Sequence, residues 1–273
     1  MTRLDVALVE RGLVRSRNRA VREIAAGRVA VNGSTARKAS VRVAPDDVLE
    51  LTSADPWVAR SAHKLLGALG DFGLTDFPAG LVCLDAGAST GGFTQVLLEH
   101  GARHVYAVDV GRDQLAPELA GDARVTDLSG HNLRELEPAW FSGPRPIDLV
   151  VADVSFISLT LLLDRLLTTT RPGGLLLLMV KPQFELTRSA LDKHGVVTRA
   201  VDRAEAVVSV VSAVAGAGGQ LFGWTPSRLP GPSGNREYFL GVRRAGSVGS
   251  GPAPVDPTAL MTHVRAQISQ EES

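Results

Sequence analysis

Apolar positions along the chain follow two different rhythms. Over the first fifty residues they come in short groups. Leu4, Ala7 and Leu8 recur at helical spacing until Gly12. Ser16 is placed to cap a helix over 17–26, with Val21, Ile24 and Ala25 on its apolar face and Gly27 as its stop. Val29 and Val31 alternate as in a strand, and Asn32-Gly33 is a strong turn signal. Val41, Val43, Val48, Leu49 and Leu51 supply two more short strands around Pro45-Asp46-Asp47. This predicts a small α+β domain over 1–54. A linker over 55–60 follows, because Pro56 breaks regular structure and Trp57 offers a large surface for packing.

From Ser61 the period lengthens. Leu65, Leu66 and Leu69 predict a helix ending at Gly70 or Gly73. Strands are then expected at 81–85, 104–109, 124–126, 147–153, 174–180, 221–224 and 238–242. Helices are expected at 92–100, 159–168 and 204–215. Such alternation means α/β architecture, with a mostly parallel sheet covered on both faces, over 61–245. Residues 246–257 are rich in Gly, Ser and Pro, so 246–273 reads as a flexible tail. No internal repeat is visible.

Composition narrows the possibilities. Of 273 residues, 44% are hydrophobic and 21% charged, which excludes a largely disordered chain. Lys+Arg and Asp+Glu are both 29, so a chain-wide nucleic-acid coat is excluded too. Locally the balance differs. Residues 11–42 carry nine basic side chains against Glu23 alone, a net of 9 − 1 = +8. A basic face without balancing acids points to nucleic acid, with Arg3, Arg15, Arg17, Arg19, Arg22 and Lys38 as candidate contacts. One cysteine, Cys83, makes neither an internal disulfide nor a cysteine-rich zinc site, and the reducing cytoplasm is the expected compartment. The most apolar stretch, 147–180, is interrupted by Asp148, Asp153, Asp164, Arg165 and Arg171, short of the roughly 18 uncharged residues a spanning helix needs. Asp5, Glu10 and Arg11 come too early for a signal peptide.

Two places carry candidate chemistry. Asp85-Ala86-Gly87-Ala88-Ser89-Thr90-Gly91-Gly92-Phe93-Thr94 follows an apolar strand and opens a helix, where ligands of open α/β sheets bind. The spacing G-x-x-x-G-G is neither a dinucleotide fingerprint nor a P-loop. Asp85 ahead of the turn disfavours a pyrophosphate and suits a ligand with a positive centre. Asp109, at the end of the next strand, can accept hydrogen bonds from ribose hydroxyls. S-adenosylmethionine has both features and no phosphate. A rival reading takes Gly87-Ala88-Ser89-Thr90-Gly91 as a nucleophile elbow, which needs a downstream acid and one of His131, His194 or His263.

The second place is a quartet at strand ends. Asp153 ends one strand, Lys181 another, Glu237 opens a third, and Lys64 lies early in the helix before the first. Strand ends converge on one edge of a parallel sheet. The chain has 25 Arg and only four Lys, two of them in this set. Lysine can be deprotonated usefully and arginine cannot.

These stretches resemble a known family. R-S-A-H-K-L (60–65), the glycine turn, A-D-V-S-F-I-S-L (152–159), V-K-P-Q-F-E (180–185) and G-P-S-G-N-R-E (231–237) are similar to the FtsJ-like ribose 2′-O-methyltransferases. R-L-D-x-x-L (3–8), Ser16-Arg17 and G-x-V-x-V-N-G (27–33) resemble the S4 RNA-binding module. The combination is similar to the TlyA (hemolysin A) family. The resemblance implies a Rossmann-like class I methyltransferase fold with a small N-terminal S4-like domain. It implies S-adenosyl-L-methionine-dependent 2′-O-methylation of cytidine in ribosomal RNA, with ribosomal subunits as partners and no metal. It assigns Lys64, Asp153, Lys181 and Glu237 to catalysis, with Lys181 as base or alkoxide stabiliser, Asp153 and Glu237 orienting it, and Lys64 adding positive potential. Asp85, Gly87, Ala88, Ser89, Gly91, Gly92, Phe93, Asp109, Asn132 and Asp153 are the implied cofactor residues. The stretch 126–132 departs from the family pattern, and of it only Asn132 carries over. A non-catalytic RNA-binding protein and a membrane-active toxin are the alternatives from other classes.

Overall fold

The computed structural model describes residues 1–51, 55–246 and 251–271. The expected end of the first domain, at 54, and part of the expected tail, 247–250, lie outside the described residues. The chain divides into two compact units, Met1–Pro56 and Trp57–Ser273.

The first unit contains β1 (Thr2–Arg3), α1 (Leu4–Glu10), α2 (Arg17–Ala25), β2 (Val29–Val31), β3 (Ser34–Ala36), β4 (Arg42–Val43) and β5 (Leu49–Leu51). The Ser16 side chain accepts from the Arg19 amide and caps α2. Asn32 and Gly33 both take positive φ, as a two-residue hairpin turn requires, and join β2 to β3. Strand β3 was not expected, because Ser34-Thr35-Ala36 has no large apolar position. The buried face of α2 also differs from expectation. Val21 is 43% exposed, while Ala20, Glu23 and Ile24 point inward. Glu23 tolerates burial because Arg19 and Arg28 both pair with it.

The second unit opens with α3 (Ser61–Asp71), β6 (Val82–Ala86), α4 (Gly92–Glu99), β7 (His104–Asp109), α5 (Pro117–Ala120) and β8 (Val125–Ser129). It continues with β9 (Ile147–Ala152), α6 (Leu163–Thr169), β10 (Thr170–Val180), α7 (Pro182–Glu185) and α8 (Ala200–Gly216). It closes with β11 (Gly219–Pro226), β12 (Tyr238–Arg244) and α9 (Pro257–Gln270). Seven strands form one sheet in the order β11-β12-β10-β9-β6-β7-β8. Only β12 runs antiparallel to its neighbours. Side chains alternate between two cores. Val82, Leu84 and Val150 join α6, α8 and α9 on one face, and Cys83, Val105 and Leu149 join α3 and α4 on the other. Strand order reverses between β6 and β9, which opens a crevice at their carboxyl ends.

The tail corrects an expectation. Instead of a flexible 246–273, residues 257–270 form a capped helix, with the Asp256 carboxylate accepting from the Ala259 amide at 2.7 Å. Leu260, Val264 and Ile268, four residues apart, are buried in the core beside α8. The approach to it is tied down as well, by Val255 N–H donating to Leu221 O at 2.8 Å.

Candidate active site

The glycine turn forms because β6 must reverse into α4 within a few residues. Gly87 and Gly91 both sit at φ near +90°. A Cβ on Gly87 would lie 2.7 Å from the carbonyl oxygen of Asp153 on the neighbouring chain segment. Asp109 braces the turn from β7. Its carboxylate accepts from the Ser89 amide at 2.8 Å and from the Gly111 amide at 2.7 Å, and carboxylate oxygens keep further lone pairs for a ligand.

A cleft of about 390 Å³ opens at this place. Gly87, Ser89, Asp109, Asn132 and Asp153 line it. The other expected cofactor residues do not reach its wall: Asp85, Ala88, Gly91, Gly92 and Phe93 are buried and hold the turn's shape from behind. Asp85 is fully buried, accepts from Thr94 Oγ1 at 2.7 Å, and leaves its second oxygen without a partner. Burial pushes its carboxyl up to about 7, and the nearby Asp153 charge adds to the shift. Asn132 Oδ1 accepts from the Arg134 amide and shapes the cleft's far side. The lining residues include two carboxylates and no lysine, arginine or histidine. Such a wall repels phosphates and accommodates a cationic ligand with ribose hydroxyls.

The nucleophile-elbow reading finds no base. Ser89 Oγ donates to Gln114 Oε1 at 3.2 Å, and an amide oxygen does not take up a proton.

The quartet gathers at the adjoining rim, as two ion pairs. Lys181 Nζ lies 2.7 Å from Asp153 Oδ1 and donates to Ser155 Oγ at 2.7 Å. The approach to Asp153 is too oblique for a well-formed hydrogen bond, so this contact is mainly electrostatic. Lys64 pairs with Glu237, and both are nearly inaccessible. The topology explains the meeting. Val180 of β10 is in register with Tyr238 of β12, so Lys181 and Glu237 flank one paired position. Leu178 pairs with Ala152, which brings Asp153 to the same edge.

The pairing differs from the expected roles. Glu237 is matched to Lys64 rather than orienting Lys181, and Lys64's charge is balanced at close range. Lys181 meets Asp153 and Ser155.

A second cavity, of about 460 Å³, is lined by Lys181, Glu237, His194, Asn235, Ser155 and Phe156, among others. It shares Ser155 and Phe156 with the first cleft. Phe156 is 90% exposed at positive φ, and its ring is 5.2 Å from that of Phe184. Sequence reasoning missed Ser155, Phe156 and Asn235, though each lies inside a quoted motif. Asn235 staples two loops: its amide donates to Gly195 O, and its oxygen accepts from Val197 N. Glu185 similarly anchors the Phe156 loop by accepting from Ser158 Oγ and the Leu159 amide.

In the first unit the expected basic residues divide by environment. Arg3 and Arg17 both bind the buried Asp5 at 2.9 Å, and the Arg3 hydrogen bond is the main reason that carboxyl falls to about 2. Arg19 pairs with Glu23 and donates to Asp55 O. Arg15 and Lys38 are exposed, and Arg22 is half-buried.

A seven-stranded sheet with one antiparallel strand, an acid-walled cleft at its switch point and a lysine beside that cleft define a methyltransferase of the Rossmann-like class. The chain belongs to the FtsJ-like methyltransferase family, whose model matches residues 57–244, and an S4 domain matches residues 2–49. It is 46% identical over 243 residues to the 16S/23S rRNA (cytidine-2′-O)-methyltransferase TlyA of Mycobacterium tuberculosis, covering 88% of this chain and 89% of that protein. It is 34% identical to hemolysin A of Brachyspira hyodysenteriae, covering 87% of this chain and 98% of that protein. A solved structure described as a hemolysin, from Streptococcus thermophilus, matches with TM-score 0.75 and 34% identity over 99% of this chain and 96% of that one. Among the described residues, no helix is long and apolar enough to cross a membrane.

Proposed function

We propose that the protein methylates the ribose 2′-hydroxyl of a cytidine in 16S or 23S ribosomal RNA, with S-adenosylmethionine as donor. The observation that carries this reading is the junction of the two cavities at Ser155 and Phe156, with Asp153 on the first cleft's side and the Lys181 amine directly beside it. The printed activity of the TlyA relative supplies the acceptor class.

Gly87, Ser89, Asp109 and Asn132 would hold the donor, with Asp109 accepting from its ribose hydroxyls. The donor supplies an electrophilic methyl on a sulfonium. The acceptor nucleoside enters the second cavity, where Phe156 and Phe184 give its base an aromatic surface once it leaves the helical stack. Lys181 takes the 2′-hydroxyl proton, or as an ammonium stabilises the forming alkoxide. Asp153 and Ser155 fix the amine's direction. The Lys64–Glu237 pair holds the opposite wall at no net charge, so the local field stays set by Lys181 and Asp153. Placement supplies most of the rate.

The test is Lys181→Arg. Arginine keeps the charge but does not act as a base, and its planar fork cannot replace the amine's position. Methyl transfer should fall at least about 100-fold, while donor affinity by calorimetry stays within about twofold. A near-normal rate removes Lys181 from this role.

A further inference from the structure

The helix at the C-terminal end of the fold finishes beside the catalytic rim. Glu271, which caps α9, places its carboxylate among three groups. Its Oε2 lies 2.6 Å from Arg236 Nη1, accepts from the Tyr238 hydroxyl at 3.4 Å, and lies 3.6 Å from Arg203 Nη2. Arg236 and Tyr238 are the two residues on either side of Glu237. Arg203 is 5% exposed, donates to Thr198 O at 2.5 Å, and leaves its Nε without a partner. Its cation therefore depends on the Glu271 carboxylate. Tyr238 is fully buried and in register with Val180, the residue before Lys181.

We infer that Glu271 is a positioning residue for the methyl-transfer step: by gripping Arg236 and Tyr238 it fixes the start of β12, and so holds Glu237 against Lys64 opposite Lys181. The inference rests on the reading of Glu237 as part of the catalytic set. The physical reason is leverage. Glu237 precedes β12 and follows the turn Gly231–Asn235, and its backbone is tied on the β11 side, where the Ser227 amide donates to Glu237 O at 2.8 Å. Side chains that pin Arg236 and Tyr238, the residues on either side of it, add a second constraint on the direction of the Glu237 side chain. Arg203 prevents the clamp from sliding, because moving Glu271 away would strand a buried cation. The grip is made possible by the packing of Leu260, Val264 and Ile268, which brings the end of α9 to this place.

The experiment compares steady-state methyl transfer by Glu271→Gln, Arg236→Ala and Arg265→Ala. Arg265, on α9, makes an exposed pair with Glu205 of α8 and is the control. Glu271→Gln is isosteric, and Arg236 is half exposed, so the second variant gives a reading should the first fold poorly. Both should lose about tenfold in kcat, with KM for donor and RNA within about twofold and Arg265→Ala unchanged. In a Glu237→Gln background the Glu271→Gln loss should vanish, because the clamp then has nothing to position. Unchanged kcat in both clamp variants, or a loss that multiplies through in the Glu237→Gln background, overturns the inference while leaving the role of Glu237 intact. A wild-type rate for Glu237→Gln alone overturns the reading of the site, and the clamp with it.

Discussion

Lysine is scarce in this chain, and that scarcity made two of its four lysines visible as chemistry before any geometry was known. What the residues alone did not show was how they pair. Strand-end position places Asp153, Lys181 and Glu237 on one rim, but that Lys181 meets Asp153 and Lys64 meets Glu237 is seen only once the side chains are in place. Ser155 escaped notice for a related reason: a hydroxyl carries no charge pattern, and its partner becomes apparent only when the loop after β9 is built. Asp85 shows the opposite case. It was legible as an acid beside the turn, yet it lies beneath the turn with one oxygen unpartnered. Its carboxyl, raised to about 7, binds a proton in the folded state that the unfolded chain has already released at lower pH. The unfolded state then binds fewer protons, so this group makes stability fall as pH rises from the ordinary carboxylate range toward 7, and adds no further slope above it. Asp85→Asn should therefore flatten the decline of Tm between pH 5 and 7.5 relative to wild type. Parallel Tm curves would show that Asp85 ionises normally.

At the scale of elements, hydrophobic period sufficed where burial is one-sided or complete. The strands β6, β7, β9 and β10 and the helix α4 lie close to their expected places. It failed where tertiary partners decide. Helix α2 turns Glu23 inward because Arg19 and Arg28 neutralise it, and no apolar count shows that. The helix α9 hid behind a Gly-, Ser- and Pro-rich approach, and its three buried residues are four positions apart with mostly polar ones between them. The glycine turn was the most legible element, because its conformation restricts the residue type. Gly87→Ala tests it. A methyl there meets the Asp153 carbonyl at 2.7 Å on a backbone with φ +92°. The expected cost is about 1–3 kcal/mol of stability, with donor affinity falling at least about tenfold because the cleft floor must shift. Unchanged affinity would mean that the turn does not form the donor site.

At the scale of the molecule, a neutral chain carries its basic excess in one small unit. Arg3, Arg17 and Arg19 are partly committed to internal acids, so the module's fold and its surface charge draw on the same side chains. Arg15 and Lys38 are exposed, and their RNA contact can be tested directly. Replacing both by alanine should weaken RNA binding and reduce the slope of log Kd against log salt by about two, without changing donor affinity. An unaltered slope would remove these two residues from the RNA interface. The charge imbalance was readable in the sequence, while its division into structural and surface cations was not.

Everything assigned to Lys181 requires that a ribose oxygen of cytidine be the methyl acceptor. Ribosomal RNA treated with the purified protein and isotopically labelled donor can be digested to nucleosides and resolved by mass spectrometry. Label is expected in 2′-O-methylcytidine, and none there with Lys181→Arg. Label on a cytosine ring, on another nucleoside, or on none would contradict it.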